Sequence, residues 1–216
     1  MSRAVIISGG TLDEGFVEQV LAQDEGACVI GVDRGLEYLY QKRIQPQYIV
    51  GDFDSIRPEV IAYYRDEARV PIREYNPIKD ASDTEIALRL AMTLGCTEIV
   101  VLGATGGRID HLWANIQTLA AACRPGVTAY ILDPRNKIWV IDRPCTLKKA
   151  EAYGTYLSVF SLSGEIYDFS LRGTKWPLSH HVLKPLDSLT VSNQFEADEV
   201  EIEFPDGLVV VMETRD

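Results

Sequence analysis

Little in this sequence points toward a secreted, membrane-bound or nucleic-acid-binding protein. Its cysteines are Cys28, Cys96, Cys123 and Cys145, and none forms a C-x-x-C pair. That spacing offers neither a zinc ribbon nor a thioredoxin-like redox motif, so small buried thiols in a reducing compartment are expected. The opening MSRAVIISGG has too short an apolar run for a signal peptide. No stretch approaches the ~20 apolar residues of a membrane helix, and a cytoplasmic location is expected. Positive charge is scarce: 21 Lys and Arg stand against 32 Asp and Glu, a formal net charge of −11. With no basic cluster to offset it, such a surface repels nucleic-acid backbones, which leaves metal ions and small molecules as the expected partners. Two common nucleotide signatures are also missing. There is no G-x-x-x-x-G-K-[ST] loop, and Gly9-Gly10 does not open a G-x-G-x-x-G turn, which excludes a P-loop enzyme and an ordinary dinucleotide binder.

What is present is a globular composition, 216 residues with 46% hydrophobic and 25% charged, enough for one large domain or a medium and a small one. The first two-thirds alternates short β-branched runs with helical patterns. Ala4–Ser8, Cys28–Asp33, Tyr48–Gly51, Ile99–Gly103 and Val127–Asp133 read as buried strands. Leu12–Gln23, Leu36–Lys42, Pro58–Glu67 and Leu112–Cys123 read as helices, as does the run after Ser82 with Ile86, Leu90 and Leu94 on one face. This alternation predicts an α/β unit, a mostly parallel sheet flanked by helices. The rhythm changes near Asp142–Lys149. Tyr156–Leu162, Glu165–Leu171, Ser188–Ser192, Glu199–Phe204 and Leu208–Glu213 are short and alternating, with Pro205-Asp206-Gly207 as a tight turn. They predict a C-terminal all-β, sandwich-like domain, giving units of residues 1–142 and 143–216.

Ligands of an open parallel sheet bind beyond the carboxyl ends of its strands. Almost every predicted strand here ends in glycine, aspartate or both: Gly9-Gly10, Asp33-Arg34-Gly35, Gly51-Asp52-Phe53-Asp54-Ser55 and Gly103 through His111. If the third strand runs on through Asp52 and Asp54, their carboxylates share one side and suit Mg²⁺, which takes hard oxygens and keeps water and phosphate ligands. The alternative is a D-x-D-S turn capping the next helix. Ser82 and Glu85 have capping-box spacing, which places Asp83 in a first helical turn where the dipole favours a carboxylate. Asp80 has no capping duty, and with Asp83 it could complete a metal site. Gly106-Gly107 lets backbone approach a phosphate, and Arg108 offers a planar donor fork; the alternative for Arg108 is an ion pair with one of the many acids. Asp110 and His111 open the next helix. His180-His181 has no third ligand at recognisable spacing and reads as structural or surface.

These motifs together resemble the thiamine pyrophosphokinase family. The matching residues are Gly51-Asp52-Phe53-Asp54-Ser55, Lys79-Asp80-x-Ser82-Asp83, Gly106-Gly107-Arg108-x-Asp110-His111 with Asn115, Gly173-x-Lys175-Trp176-x-Leu178, and Ser192-Asn193. The resemblance spans most of the chain in the same order. It departs at Ser82, where the family more often has Thr, and at Arg34, where it often has Gly. The resemblance implies an α/β domain followed by a β-sandwich, a homodimer, and pyrophosphoryl transfer from ATP to the hydroxyethyl arm of thiamine, releasing AMP. It implies Mg²⁺ on Asp52, Asp54 and Asp83. Nucleotide would lie near Gly9, Gly10, Asp33, Gly106, Gly107, Arg108 and His111. Thiamine would lie between subunits near Trp176, Ser192 and Asn193.

That chemistry suits the residues. Alcohol attack on the β-phosphorus builds charge on phosphoryl oxygens, which Mg²⁺ and Arg108 would neutralise. Asp80 or Asp110 would accept the alcohol's proton, and an aromatic face such as Trp176 would attract the thiamine cation; the alternative for Trp176 is packing in the β core. Rival readings are a pterin-alcohol pyrophosphokinase, a metal-dependent phosphohydrolase and a non-catalytic thiamine diphosphate sensor.

Overall fold

The computed structural model describes residues 3–23, 26–54, 56–74, 81–123 and 125–216, with backbone alone at 73 and 74. Ser55, Lys79 and Asp80 lie outside them. In chain order the elements are β1 (Arg3–Ile7), α1 (Glu14–Ala22), β2 (Cys28–Val32), α2 (Gly35–Gln41), β3 (Tyr48–Gly51), α3 (Pro58–Ala62) and β4 (Ile72–Glu74). Then follow α4 (Asp83–Thr93), β5 (Glu98–Leu102), α5 (Ile109–Thr118), α6 (Ala120–Cys123), β6 (Thr128–Leu132) and β7 (Asn136–Ile141). The remainder is β: β8 (Cys145–Lys148), β9 (Tyr156–Ser161), β10 (Ile166–Arg172), β11 (Leu178–Leu183), β12 (Glu199–Glu203) and β13 (Val209–Thr214).

Alternation along the strands divides the apolar residues between two faces of one long sheet, ordered β4-β3-β2-β1-β5-β6-β7-β13-β9 and parallel from β4 through β6. Ala4, Ile6, Ile30, Val32, Ile99 and Val101 point to the face covered by α4, α5 and α6 through Ala87, Leu88, Ile116 and Leu119. Their neighbours Val5, Ile7, Val29, Ile49, Val100 and Leu102 point to the other face, under Val17, Val20, Leu36, Leu39 and Val60 of α1, α2 and α3. Strands buried on both sides read as unbroken β-branched runs, which is why they were legible. From β7 onward the pairing is antiparallel. This end of the sheet packs Leu157, Val159, Val209 and Val211 against Phe169, Leu171, Val200 and Ile202 of an antiparallel second sheet, ordered β11-β10-β12-β8. The architecture is thus a mostly parallel sheet with flanking helices, plus a C-terminal antiparallel sheet.

Helix ends follow their capping residues. Asp13 Oδ1 accepts the Phe16 N–H at 2.9 Å, and Ser82 Oγ accepts that of Glu85 at 3.2 Å. Pro58 starts α3, where its missing N–H costs nothing. The helix expected to continue to Glu67 instead widens at Tyr63, whose carbonyl accepts the Ala68 N–H at 2.9 Å. The wider turn seats Tyr64 wholly in the core, its hydroxyl donating to Ile44 O at 3.0 Å. Ser188–Ser192, expected as a strand, forms turns instead. Thr190 donates its hydroxyl to Val159 O, and the Ser192 N–H finds Ser158 Oγ at 3.0 Å, so side-chain bonds replace a ladder there. All four cysteines are free thiols; burial pushes Cys123 and Cys145 up to about 11.

Candidate active site

Strand order fixes where a ligand can enter. β2, β3 and β4 step outward on one side of β1, while β5 and β6 lie on the other. The winding reverses between β1 and β5, and loops leaving two strands at such a reversal diverge and open a crevice at their carboxyl ends. A cleft of about 1130 Å³ lies there. Gly9 and Gly10 line it from β1, Asp33 and Arg34 from β2, and Asp52 from β3. Gly106, Gly107, Arg108, Asp110 and His111 line it from the loop after β5, and Ser82 and Asp83 from the start of α4.

The backbone at this edge is unusual. Asp33 (φ 43°) and Phe53 (φ 62°) are left-handed, conformations that cost a non-glycine residue of order 1–3 kcal/mol and gather at functional sites. A Cβ at Gly51 would lie 2.2 Å from Asp33 Oδ1, so the missing side chain lets that carboxylate lie against the end of β3. Gly107 (φ 95°) has nothing within 4 Å of where a Cβ would be. Its glycine answers to backbone conformation and leaves that part of the wall bare.

β3 ends at Gly51, before the D-x-D pair, and left-handed Phe53 interrupts the alternation. Asp52 lines the cleft and its Oδ1 accepts the Asp54 N–H at 3.3 Å, a local turn of the kind aspartate favours. Asp54 is exposed and is not among the residues lining the cleft. Asp83 is the first residue of α4 and faces the cleft, so first-turn position and site position coincide. Glu85 does not close the capping box; its carboxylate turns forward to Arg89 Nη2 at 2.7 Å. Among the described residues, no three His, Cys, Asp or Glu side chains converge to hold an ion. Asp33, Asp52 and Asp83 nonetheless share the cleft, and Mg²⁺ characteristically takes one or two carboxylates, water and substrate phosphates instead of an all-protein cage. The donor set fits that ion.

Arg108 and Asp110 face each other at the mouth. Arg108 Nε donates to Asp110 Oδ1 at 3.1 Å and its Nη2 pairs with Oδ2. The same Oδ1 accepts the His111 N–H at 2.9 Å. The arginine's hydrogen bonds hold the Asp110 carboxyl below the usual carboxylate range, and Asp110 raises the guanidinium in return. Asn115 is buried and donates Nδ2 to Ala104 O at 3.1 Å, tying α5 to the loop after β5.

A second group lies in the antiparallel half and does not line the cleft. Trp176 is 53% exposed, so it is not the core residue its alternative reading allowed. Lys175 Nζ stands 4.7 Å from its ring centroid. Asn193 is buried and grips the Trp176 backbone from both sides: the Trp176 N–H donates to Asn193 Oδ1 at 3.0 Å, and Asn193 Nδ2 donates to Trp176 O at 2.8 Å. Ser192 is exposed and left-handed (φ 58°). His181 Nε2 lies 3.3 Å from Asp187 Oδ2, and His180 Nδ1 meets Asp168, side-chain contacts in and beside the second sheet. Sequence reasoning passed over hydroxyls that line the cleft, such as Ser8 Oγ at 3.0 Å from Thr84 Oγ1; single Ser and Thr residues carry no spacing signal.

A family model described as "Thiamin pyrophosphokinase, catalytic domain" matches residues 20–131, and one described as "Thiamin pyrophosphokinase, vitamin B1 binding domain" matches residues 144–209. The chain belongs to the thiamin pyrophosphokinase family. A thiamine pyrophosphokinase of Bacillus subtilis is 29% identical over 194 residues, covering 89% of this chain and 90% of that protein. The crystal structure of thiamine pyrophosphokinase from B. subtilis superposes with a TM-score of 0.84 at 26% identity over the whole of both chains. That of thiamin pyrophosphokinase from Geobacillus thermodenitrificans gives 0.84 at 28%, over 100% of this chain and 98% of the other. The first family region holds most of the cleft and the second holds Trp176, Ser192 and Asn193. No helix among the described residues is long and apolar enough to cross a membrane.

Proposed function

We propose that this chain is a cytoplasmic, Mg²⁺-dependent thiamine diphosphokinase, moving a pyrophosphoryl group from ATP to the thiamine hydroxyl and releasing AMP. The observation that carries the reading is the cleft at the β1/β5 reversal, where two glycine turns meet four aspartates, Asp33, Asp52, Asp83 and Asp110, and Arg108. Asp52 and Asp83 would hold Mg²⁺, with Asp54 kept in the set by its motif; the ion would neutralise charge on the phosphoryl oxygens. Gly9, Gly10, Gly106 and Gly107 offer backbone to the phosphates, with Asp33 and His111 beside the nucleotide. Arg108, with two of its donors spent on Asp110, turns its remaining N–H groups to the transferring group. Asp110 is a poor base while Arg108 holds it below the usual range, and its part is to steady the guanidinium. Asp80 is the proposed proton acceptor.

Thiamine is a cation, and the Trp176 face already carries one in Lys175; such a contact contributes about 0.5–2 kcal/mol. Ser192 precedes Asn193 in the chain, and Asn193 acts through Trp176. That this group lies off the cleft of its own chain supports the homodimer the resemblance implies, in which one copy's Trp176 would close on its partner's cleft. Residues 1–142 then serve ATP and metal, and residues 143–216 serve thiamine and dimerisation. The test is AMP release from ATP and Mg²⁺ with and without thiamine. Thiamine-dependent AMP with thiamine diphosphate supports the reading; free phosphate without an acceptor refutes it.

A further inference from the structure

The two glycine turns of the cleft are tied to each other and then to a point outside it. The Gly10 N–H donates to Gly103 O at 2.8 Å and the Thr11 N–H to Thr105 O at 3.1 Å, zipping the turn after β1 to the turn after β5. Thr105 itself does not line the cleft. Its hydroxyl donates to Asp133 Oδ2 at 2.6 Å. Asp133 follows β6, and its Oδ1 is taken up by the turn into β7, accepting from Arg135 N at 2.7 Å and Asn136 N at 2.8 Å. That turn is clamped from the C-terminus. The Tyr153 hydroxyl donates to Asp133 O, Arg215 Nε donates to Pro134 O at 2.8 Å, and the Arg215 guanidinium stands 4.6 Å from the Tyr153 ring centroid. A carboxylate fixed on every other side therefore presents one oxygen to one hydroxyl of the phosphate-facing loop.

We infer that Thr105 and Asp133 are positioning residues for the nucleotide part of this site. They set where Gly106, Gly107 and Arg108 stand against the phosphates, and this rests on the pyrophosphoryl-transfer reading above. A hydrogen bond to a charged acceptor is among the stronger neutral-donor contacts, and small displacements of a phosphate-holding loop are expensive in rate. Asp133 Oδ2 also has Asn136 Nδ2 at 3.0 Å, so removing the Thr105 hydroxyl does not strand a buried carboxylate oxygen. Thr105→Val keeps the shape of the side chain and deletes only its donor.

Thr105→Val is expected to raise the KM for ATP about tenfold, the scale of one charge-assisted hydrogen bond, with the KM for thiamine and the Tm held. Thr105→Ser, which restores the donor, is expected to return the KM for ATP to the wild-type value. An unchanged KM for ATP in Thr105→Val overturns the inference, as does an equal rise for both substrates with a lowered Tm, the mark of a merely structural bond. Calorimetric titration with ATP and Mg²⁺ reads the same difference without turnover. A wild-type protein that binds ATP but releases no AMP with thiamine sinks the proposed reaction; the shift in Kd between wild type and Thr105→Val then still decides this inference.

Discussion

The cleft and the Trp176 group are built by opposite means. The cleft is made at strand ends, with left-handed Asp33 and Phe53, glycines and exposed charges. Its ionic groups are positioned by turns that tolerate strain because the parallel strands behind them are buried on both faces. The Trp176 group is made by pairing between distant segments of the chain in an antiparallel framework, where one buried amide, Asn193, holds an exposed ring by its backbone. On the proposed function the first kind of site serves a polyanion and a metal, and the second a flat cation, so that the reaction draws on both.

The largest expected effect separates the regions outright. Asp52→Asn and Asp83→Asn are expected to lower AMP release by at least about a hundredfold, as loss of electrostatic stabilisation of a transition state does, with Tm unchanged. Near-normal turnover in both would empty the cleft of its role. Asp54→Asn tests the motif against the geometry: an equal loss keeps Asp54 in the metal set, and a small one removes it.

Trp176→Ala comes next. A cation–π contribution of that size implies roughly a tenfold rise in the KM for thiamine with that for ATP unchanged; equal rises would merge the two regions. Mixing Asp52→Asn protein with Trp176→Ala protein sharpens the test at low thiamine. If Trp176 serves the partner's cleft, mixed dimers hold one intact site and activity returns; if it serves its own, none returns. Asn193→Ala should raise the KM for thiamine less than Trp176→Ala does, while costing about 1–3 kcal/mol of stability from stranded backbone groups, read by denaturant titration. A KM effect larger than that of Trp176→Ala would mean that Asn193 touches substrate directly.

The smallest effect probes the framework. Burial raises the Glu213 carboxyl above its ordinary value, against the opposing Tyr153 N–H and Lys137. A raised acid binds its proton more tightly when folded, so its contribution to stability is greatest in acid and declines as pH rises through the shifted value. Glu213→Gln is therefore expected to raise Tm slightly at neutral pH, with the gap closing in acid. A gap independent of pH would contradict the raised value.

The doubly buried strands and the cleft glycines and aspartates were legible because hydrophobic continuity and turn chemistry are local properties. β4, β7, β8 and β11 passed unread. β4 has three residues, and β11 carries two adjacent histidines and a left-handed His180 in place of clean alternation. That β13 and β9 extend the first sheet through β7 is a matter of pairing between distant segments, which alternation leaves open. In the site, Asp52 and Asp54 matched a motif, yet which of them faces the cleft depends on the sign of φ at Phe53. The grip of Asn193 on Trp176 spans 17 positions and has no sequence signal beyond the S-N pair itself.

The outermost strand of the long sheet, β9, ends in no raw edge. Leu157 N–H is taken by Asn193 O at 2.8 Å, Val159 O by Thr190, and Ser158 Oγ by the Ser192 N–H. Open strand borders invite a neighbouring molecule to add itself by backbone pairing. This border is stoppered by the very segment that bears Ser192 and Asn193, which blocks strand addition there. Loosening that stopper would unseat the Trp176 ring and uncover an adhesive border at once, coupling catalytic failure to clumping.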